Sequence, residues 1–548
     1  MTPRSPRKPS RRRRVLLALL GLTTVLSLAT MVWQRRTLLG FVTDRAGDSI
    51  ALPRPLMQAR LDALSNAITE MDVMRAQQLA LEHQEIPLSV EQSQRLAIER
   101  ARLGLYVGDC DSAEAILATL PPEEDQVKGL ASVAHNCAGA VAASRVVQDV
   151  ERGIWLRLQD NDDEPLVPFI VDVADHARRA VEADLGVDLP RPLRIDVVRD
   201  LFSLSSVSGL PLEAAETTGT VAVARWGRIT LLSPRASRHG YPWEDTMAHE
   251  IVHLALSRAT RDFAPLWLQE GVAKRQEQRW RAARPFDDAD GHDRVARHAL
   301  DTGTSVGVDN LGPSIAMLPS ADAASIAFSE VTSFINFWIE QNGRAAFRLL
   351  LADLKGLESR DPDPALIAVS GYSLGEWILR WQVHLLDLDV PTPEAAVQGG
   401  SAAPDVRAIR LGDLLMRGQH FTAAARRFEE ARALAPSVAA LRYRASQARL
   451  GAGDPKLAAS LLGQSKELDG PHAGWFALRG RFDRETGNTE AGTQASRMAL
   501  SLDPWSEIVA CEGYVENLLG SDPWEVPQPT DPAKQLLCTT ARARPPVQ

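Results

Sequence analysis

A five-residue motif, His-Glu-Ile-Val-His at residues 249 to 253, constrains this 548-residue chain more than any other feature of its sequence. Residues four apart lie one turn above each other on the same face of a helix, so His249 and His253 can both reach one metal ion. Glu250 falls beside them on that helix, outside the set of ligands. The motif therefore predicts a metal-binding helix that also carries a carboxylate base.

A second motif downstream offers a third ligand. A catalytic zinc ion usually takes three protein ligands and keeps its fourth position open for water or substrate, so two histidines alone leave the ion under-coordinated. The stretch Pro-Leu-Trp-Leu-Gln-Glu-Gly at residues 265 to 271 puts Glu270 early in another predicted helix, which can face the first. We therefore predict His249, His253 and Glu270 as zinc ligands.

Together the two motifs resemble those of the gluzincin zinc peptidases. The resemblance implies that His249, His253 and Glu270 bind one Zn²⁺ per chain and that Glu250 is the general base in peptide-bond hydrolysis. Two other interpretations remain open. The histidines could simply be satisfied in a core or surface helix, or a gluzincin fold could bind zinc without cleaving.

The resemblance covers residues 151 to 388. The stretch from 326 to 339 resembles a helix that follows the zinc site in peptidase MA-like proteins, and residues 373 to 381 resemble the final helix of such domains. The implied fold is an α+β zincin-like metallopeptidase domain, built from a small sheet and helices. All-α regions with helical repeats flank this domain.

A small sheet is expected before the metal-binding helix. Residues 193 to 198 largely alternate apolar and polar side chains, as a half-buried strand does, and residues 220 to 232 are typical of a hairpin. Pro242 suits the first turn of the metal-binding helix. In gluzincins the edge strand of this sheet holds the substrate backbone by strand addition, so the resemblance puts a bound peptide at the hairpin.

The group that stabilises the oxyanion is not identified by the motifs. In this family a Tyr or His outside the metal motif commonly has that role. Related sequences often begin the helix at 326 to 339 with Tyr, where this chain has Phe328. The remaining candidates are Tyr241, His292, His298 and Tyr372.

The N-terminus predicts a membrane anchor. Seven basic residues precede residues 15 to 33, a stretch of 19 residues without a charge, and Arg35 and Arg36 follow it. As a helix with a rise of about 1.5 Å per residue it spans roughly 28 Å, close to the hydrocarbon thickness of a bilayer. The positive-inside rule then predicts a single-pass cell-membrane protein with a cytoplasmic N-terminus and an extracytoplasmic bulk. Secretion after cleavage of a signal peptide is the alternative.

The net charge argues against a nucleic-acid partner, and the four cysteines are consistent with an extracytoplasmic location. Beyond residue 36 the chain has 52 basic and 70 acidic residues, a net charge of −18, which disfavours a nucleic-acid partner because such a surface repels phosphate. Cys110 and Cys137 are 27 residues apart, and so are Cys511 and Cys538. Two local disulfides are expected, with four buried thiols as the alternative.

Small residues recur every 34 positions near the C-terminus. Gly412, Ser446 and Gly480 show this spacing, which resembles that of tetratricopeptide repeats. Such repeats stack helix pairs into a surface that binds a protein partner, and the alternative is a scaffold that only covers the catalytic domain. The region before the predicted peptidase is also helical by pattern and possibly repeat-like.

These observations predict six segments along the chain. They are a basic N-terminus with a transmembrane signal anchor (1 to 37), a helical domain (38 to 150), the gluzincin-like metallopeptidase domain (151 to 388), a linker (389 to 404), tetratricopeptide-like repeats (405 to 521) and a Pro-rich tail (522 to 548).

The function predicted from the sequence is that of a membrane-anchored, extracytoplasmic, zinc-dependent metallopeptidase. Its helical repeats would recruit a protein partner or the peptide or protein substrate. The competing hypothesis is a non-catalytic scaffold of the cell envelope, whose repeats bind partners and whose peptidase-like module binds zinc. The intact ligands and base favour the enzyme.

Overall fold

The computed structural model describes residues 54 to 504, apart from 83 to 87, 123 to 124, 238 to 239, 282 to 290, 358, 389 to 405, 465 to 467 and 469 to 470. Within this part the chain is mostly helical and has one small mixed sheet, in agreement with the predicted α+β class and helical flanks. The predicted anchor, linker, tail and Cys511–Cys538 pair lie outside the described residues.

The described chain begins with helices that precede the sheet. Helix α3 (Val90–Val107) has a capping box, in which the Ser89 hydroxyl accepts the Gln92 N–H and the Gln92 side chain accepts the Ser89 N–H. It ends at Gly108, whose φ of 84° is easily adopted only by glycine and turns the chain into α4. The helices are α1 Arg54–Thr69, α2 Val73–Glu82, α3 Val90–Val107, α4 Cys110–Leu117 and α5 Asp125–Val141.

The sheet has five strands in the order β1-β2-β3-β5-β4. The three inner strands are parallel, and each outer strand is antiparallel to its neighbour. The predicted strand at 193 to 198 is confirmed as β3, and the predicted hairpin is confirmed with its turn at Trp226 and Gly227. The strands are β1 Arg145–Asp149, β2 Ile154–Leu158, β3 Leu193–Val198, β4 Ala222–Arg225 and β5 Arg228–Leu232.

Helices cover the sheet and continue beyond it. Trp243 begins α9 directly after Pro242, where the sequence predicts the start of the metal-binding helix. This helix touches α6 (Val167–Leu185), α10 (Leu266–Gln276) and α12 (Ala321–Lys355). It also touches strands β4 and β5, so it lies in the centre of the domain. The helices of this part are α6 Val167–Leu185, α7 Leu201–Ser208, α8 Leu212–Thr218, α9 Trp243–Thr260, α10 Leu266–Gln276, α11 Gly291–Thr302, α12 Ala321–Lys355, α13 Asp363–Ser370 and α14 Leu374–Asp387.

The described part of the C-terminal region consists of three helical hairpins. Gly412, Ser446 and Gly480, the small residues at the 34-residue spacing, lie where the two helices of each hairpin come close to each other. A Cβ on Gly412 would come within 2.5 Å of the Phe428 ring, and the buried Ser446 hydroxyl donates to the Ala458 carbonyl at 2.7 Å. The hairpins pair α15 Val406–Arg417 with α16 Phe421–Leu434, α17 Ala439–Gly451 with α18 Pro455–Leu462, and α19 Ala473–Glu485 with α20 Thr489–Leu502.

The prediction of a single-pass membrane protein is corrected by the structure. Among the described residues, no helix is both long and apolar enough to cross a membrane. A crossing helix needs about 20 consecutive, predominantly apolar residues. Even α12, which spans 35 residues with a break at Gly343, carries the charged side chains of Glu330, Glu340 and Arg344 along its length. The stretch at 15 to 33 lies outside the described residues, and the membrane location predicted from it is withdrawn.

A disulfide between Cys110 and Cys137 joins α4 to α5, as the spacing predicts. Its sulfurs lie against the fully buried guanidinium of Arg228 on β5, whose Nη2 is 3.2 Å from the Cys137 sulfur. Arg228 in turn pairs with Asp196 on β3 at 3.0 Å, and Asp196 also accepts from Arg157 on β2 at 2.6 Å. The disulfide-linked helices are therefore attached to the sheet through a buried cluster of paired charges.

We expect the disulfide to stabilise the fold substantially. Closing a loop of this length removes conformational freedom from the unfolded chain, worth about 3 to 4 kcal/mol. A Cys110→Ser/Cys137→Ser variant should lose about that much free energy of unfolding, measured by urea denaturation. Reductant should lower the stability of the wild type more than that of the variant, which lacks this disulfide but keeps Cys511 and Cys538. Equal stability of the wild type with and without reductant would contradict this expectation.

Candidate metal centre

Helix α9 presents both motif histidines to the same side. The rings of His249 and His253 are 4.9 Å apart between centroids and meet edge to face, as residues one helical turn apart can. Both side chains are largely buried, with 12% and 14% exposed. Their Nε2 atoms point to a common partner on the next helix.

That partner is Glu270 on α10. Its Oε2 lies 3.5 Å from His249 Nε2 and 3.6 Å from His253 Nε2. One donor atom from each of the three residues can be chosen so that all lie within 4.8 Å of one another. The structure thus brings the three predicted ligands together, although Glu270 is 17 positions beyond His253 in the sequence.

Gly271 explains how α10 comes close to α12. A Cβ at this position would lie 2.5 Å from the Val331 carbonyl oxygen and 2.6 Å from the Ile335 side chain on α12. The absence of a side chain lets the backbones of the two helices touch. The glycine that follows Glu270 therefore allows the packing that carries the carboxylate to the histidines.

Glu250 lies beside the three predicted ligands and is held by the sheet. Its side chain is buried, and its carboxylate accepts the backbone N–H of Ala224 on β4. Burial raises the pKa of Glu250, while the nearby His253 and His249 act in the opposite direction. A buried carboxylate with a raised pKa is a better proton acceptor than an exposed one.

Strand β4 exposes alternate backbone groups at the edge of the sheet. Leu232 donates to the Val221 carbonyl at 2.8 Å, and Val223 lies opposite Thr230 in the same register. In an antiparallel pair the intervening residues turn their N–H and C=O groups away from the partner strand. Ala222 and Ala224 therefore turn their backbone groups outward, which explains how Ala224 reaches Glu250.

Two further residues, Lys274 on α10 and Glu277 at its C-cap, reach the site and were not predicted from the sequence. Glu277 Oε2 lies 3.5 Å from His249 Nδ1, and Lys274 Nζ lies 2.8 Å from the same oxygen. Burial alone would raise the pKa of Glu277, but Lys274 and His249 overcome that effect and lower it to about 2. Their positions four and seven residues after Glu270 put them on its helix face, a signal that the sequence contains.

Charge around His249 is unusually dense. Burial would lower the pKa of this imidazole, but hydrogen bonding to Glu270 and Glu277 outweighs it and raises the pKa to about 10. Two carboxylates aimed at one ring create a strong preference for positive charge there. A proton and a metal cation satisfy the same preference and compete for it.

A cavity of about 380 Å³ opens beside His249 and Glu250. Its walls combine apolar side chains with the Lys274–Glu277 pair and the outward side of the hairpin. The remaining lining residues are Gly219, Thr220, Val221, Ala222, Tyr241, Pro242, Thr246, Ile315, Ala324 and Phe328.

The predicted oxyanion candidates have different surroundings. Tyr241 lines the cavity, but its hydroxyl donates to the backbone carbonyl of Leu232. Phe328, where related sequences often have Tyr, also lines it, with its ring 6.2 Å from that of His249. The other three lie away from its walls: His292 is 3.5 Å from the Ser329 hydroxyl, His298 is exposed and the Tyr372 hydroxyl accepts from Arg380.

Comparison of the chain with protein-family models, with curated proteins and with solved structures finds no match.

We expect Gly271→Ala to destabilise the protein by about 1 to 3 kcal/mol, because the added methyl group overlaps the α12 backbone. Gly375→Ala is the matched control, since a Cβ on this helical glycine meets nothing within 4 Å. The control should be neutral or slightly stabilising. Urea denaturation of both variants measures the difference, and equal stabilities would contradict the role given to Gly271.

Proposed function

We propose that this chain is a zinc-dependent metallopeptidase of the gluzincin type, which hydrolyses peptide bonds in a peptide or protein substrate. One observation carries the proposal. The Nε2 atoms of His249 and His253 lie 3.5 and 3.6 Å from one oxygen of Glu270, with Glu250 next to them at a cavity. This is the arrangement that a catalytic metal and its base require.

The donor set fits zinc. Nitrogen and oxygen ligands bonded at about 2.0 to 2.2 Å around a tetrahedral ion lie about 3.3 to 3.6 Å from one another. The distances from Glu270 Oε2 to the two histidine nitrogens, 3.5 and 3.6 Å, fall in that range. Two imidazoles and one carboxylate also form a usual ligand set of catalytic zinc, which leaves one position for water or substrate.

Zinc in such a site supplies Lewis acidity, which polarises a substrate carbonyl and makes water easier to deprotonate. Glu250 accepts the proton of the attacking water, because its buried carboxylate lines the cavity. As the C–N bond of the peptide breaks, the same carboxyl returns this proton to the leaving amine. The hydroxide part of the water thus becomes part of the new carboxyl group, and its proton goes to the new amine. Glu250 is a carboxylate again at the end of each cycle.

The hairpin offers a way to hold the substrate backbone. Strand β4 is at the edge of the sheet, and the backbone groups of Ala222 and Ala224 turn away from β5. An extended peptide added along this edge would pair with the outward groups of Ala222 and with the Ala224 carbonyl, since the Ala224 N–H donates to Glu250. It would pass over the cavity that Ala222 and Glu250 line. Backbone pairing of this kind binds peptides of varied sequence, which suits a protein or peptide substrate.

The remaining architecture is compatible with the proposal. A small mixed sheet followed by α9 and α10 agrees with the order of elements expected of a zincin-like domain. We further propose that the three C-terminal hairpins are tetratricopeptide-like repeats that recruit a protein partner. They contact a residue of the cavity wall, since the Tyr241 N–H donates to the Leu502 carbonyl at 3.2 Å.

The base is tested by Glu250→Gln in the full chain. Glutamine cannot accept the proton, so cleavage of a peptide library should fall by at least about 100-fold while zinc content stays at one ion per chain. Glu340→Gln, at an exposed position of α12, is the control and should cleave like the wild type. His253→Ala should lose both zinc and cleavage.

Metal removal provides the complementary test. A chelator should abolish cleavage by the wild type, and added zinc should restore it. A wild-type chain that binds no stoichiometric zinc would overturn the proposal. Zinc bound without cleavage of any peptide would instead support the non-catalytic scaffold.

A further inference from the structure

Helix α20 ends against the segment that leads into α9. The Leu502 carbonyl at its end accepts the Tyr241 N–H at 3.2 Å. Carbonyls in the last turn of a helix have no partner within the helix, so this bond satisfies one of them from outside. The end of α20 is therefore joined, backbone to backbone, to the chain that begins the metal-binding helix.

Gly240 makes this close contact possible. A Cβ at this position would overlap the Leu502 carbonyl oxygen and lie 2.6 Å from the Leu502 carbonyl carbon. The φ of Gly240, 71°, also lies in the left-handed region, which glycine adopts easily. Both the space and the backbone conformation thus require a residue without a side chain.

Tyr241 extends the contact to the cavity. Its side chain and Pro242 form part of the cavity wall. The Tyr241 hydroxyl donates to the Leu232 carbonyl at the end of β5, so this residue is held between the sheet and α20. The Pro242 carbonyl accepts both the N–H and the hydroxyl of Thr246, another wall residue, at 2.9 Å each. The position of this wall therefore depends on where α20 ends.

The third hairpin, α19 and α20, shares the core of the central domain. Trp475 on α19 and Leu502 on α20 belong to the same contiguous apolar cluster as Trp243 and Met247 on α9. The first hairpin differs, since its buried Phe428 packs in a separate cluster. Close-packed cores transmit small displacements. A movement of α20 must therefore be accommodated around the metal-binding helix, whereas a movement of the first hairpin need not be.

We propose that the third hairpin positions the wall of the substrate cavity through Gly240 and Tyr241, so that the C-terminal hairpins set the affinity of the centre for its peptide substrate. This inference rests on the proposed function, since it takes the cavity as the place where the peptide binds. Gly240 is the positioning residue, because it acts through Tyr241 and touches neither the metal nor the substrate. A protein partner bound to the hairpins would change peptide affinity by the same route.

The alternative is that the third hairpin only covers an apolar side of the domain. Such a cover contributes to the free energy of unfolding, but it leaves the substrate affinity of the folded protein unchanged. A positioning contact instead changes KM of the folded protein and leaves kcat and zinc content near their wild-type values. This split is expected when binding is lost equally for the substrate and the transition state.

Gly240→Ala in the full chain tests the contact at the cavity. Because the added methyl group overlaps the Leu502 carbonyl, we expect KM for a peptide that the wild type cleaves to rise by about 2- to 30-fold. Gly303→Ala is the matched control. The φ of Gly303 is 69°, close to that of Gly240, but a Cβ there meets nothing within 4 Å. The control should keep the wild-type KM.

A second pair of variants tests the hairpin away from the cavity. A Cβ at Gly480 on α19 would lie 2.8 Å from the Gly492 carbonyl oxygen on α20. Gly480→Ala should therefore displace α20 and also raise KM. Gly412→Ala is its control, since it adds a methyl group 2.5 Å from the Phe428 ring at the corresponding position of the first hairpin. It should leave KM unchanged.

Hydrogen exchange provides a readout that needs no turnover. The Tyr241 amide is protected by its bond to α20, so Gly480→Ala should speed its exchange and Gly412→Ala should not. The thermal midpoint of each variant, measured alongside, establishes that KM is determined on folded protein. Wild-type KM in both Gly240→Ala and Gly480→Ala would overturn the inference while leaving the proposed function intact. Absence of cleavage by the wild type would overturn both.

Discussion

Enclosure of α9 between the sheet and three helices is the constraint on which the site depends. Charged groups buried in this way must be paired, and the buried carboxylates of α9, Asp245 and Glu250, find their partners on other elements. Asp245 accepts from Trp280 and Arg281, at 3.0 and 2.7 Å, beyond the end of α10. Glu250 accepts from Ala224 on β4, and His249 faces carboxylates on α10. The pairing that stabilises the core therefore also assembles the candidate centre.

A single face of α10 carries the charged side chains that reach the candidate centre. Glu270 and Lys274 on this helix and Glu277 at its C-cap follow one another at intervals of four and three residues. All three turn toward α9 or the cavity. Gly271 lies on the side that meets α12, where its missing side chain permits backbone contact. One face thus supplies charge and the other supplies close packing, so the position of the carboxylates depends on the shape of the helix interface.

The flanking helices are joined to this domain by specific polar contacts. The N-terminal helices and their disulfide meet the sheet at Arg228, which pairs with Asp196 in the core. Helix α20 meets the segment before α9, through the hydrogen bond that the Tyr241 N–H donates to the Leu502 carbonyl. Tyr241 also lines the cavity, so the C-terminal hairpins contact a wall of the candidate site as well as the chain that leads into α9.

The sequence by itself determined the local features. Helical periodicity puts His249 and His253 on one face, and alternation with a turn at Trp226 and Gly227 specifies the hairpin, because both patterns involve residues close in the chain. Tertiary structure alone decided which groups face these residues. The Ala224 N–H bonds to Glu250, and the carboxylate of Glu277 faces His249. Tertiary structure also decided which oxyanion candidates line the cavity. These depend on packing between distant segments. The N-terminal pattern shows the opposite case, since the membrane location inferred from it was not supported by any described helix.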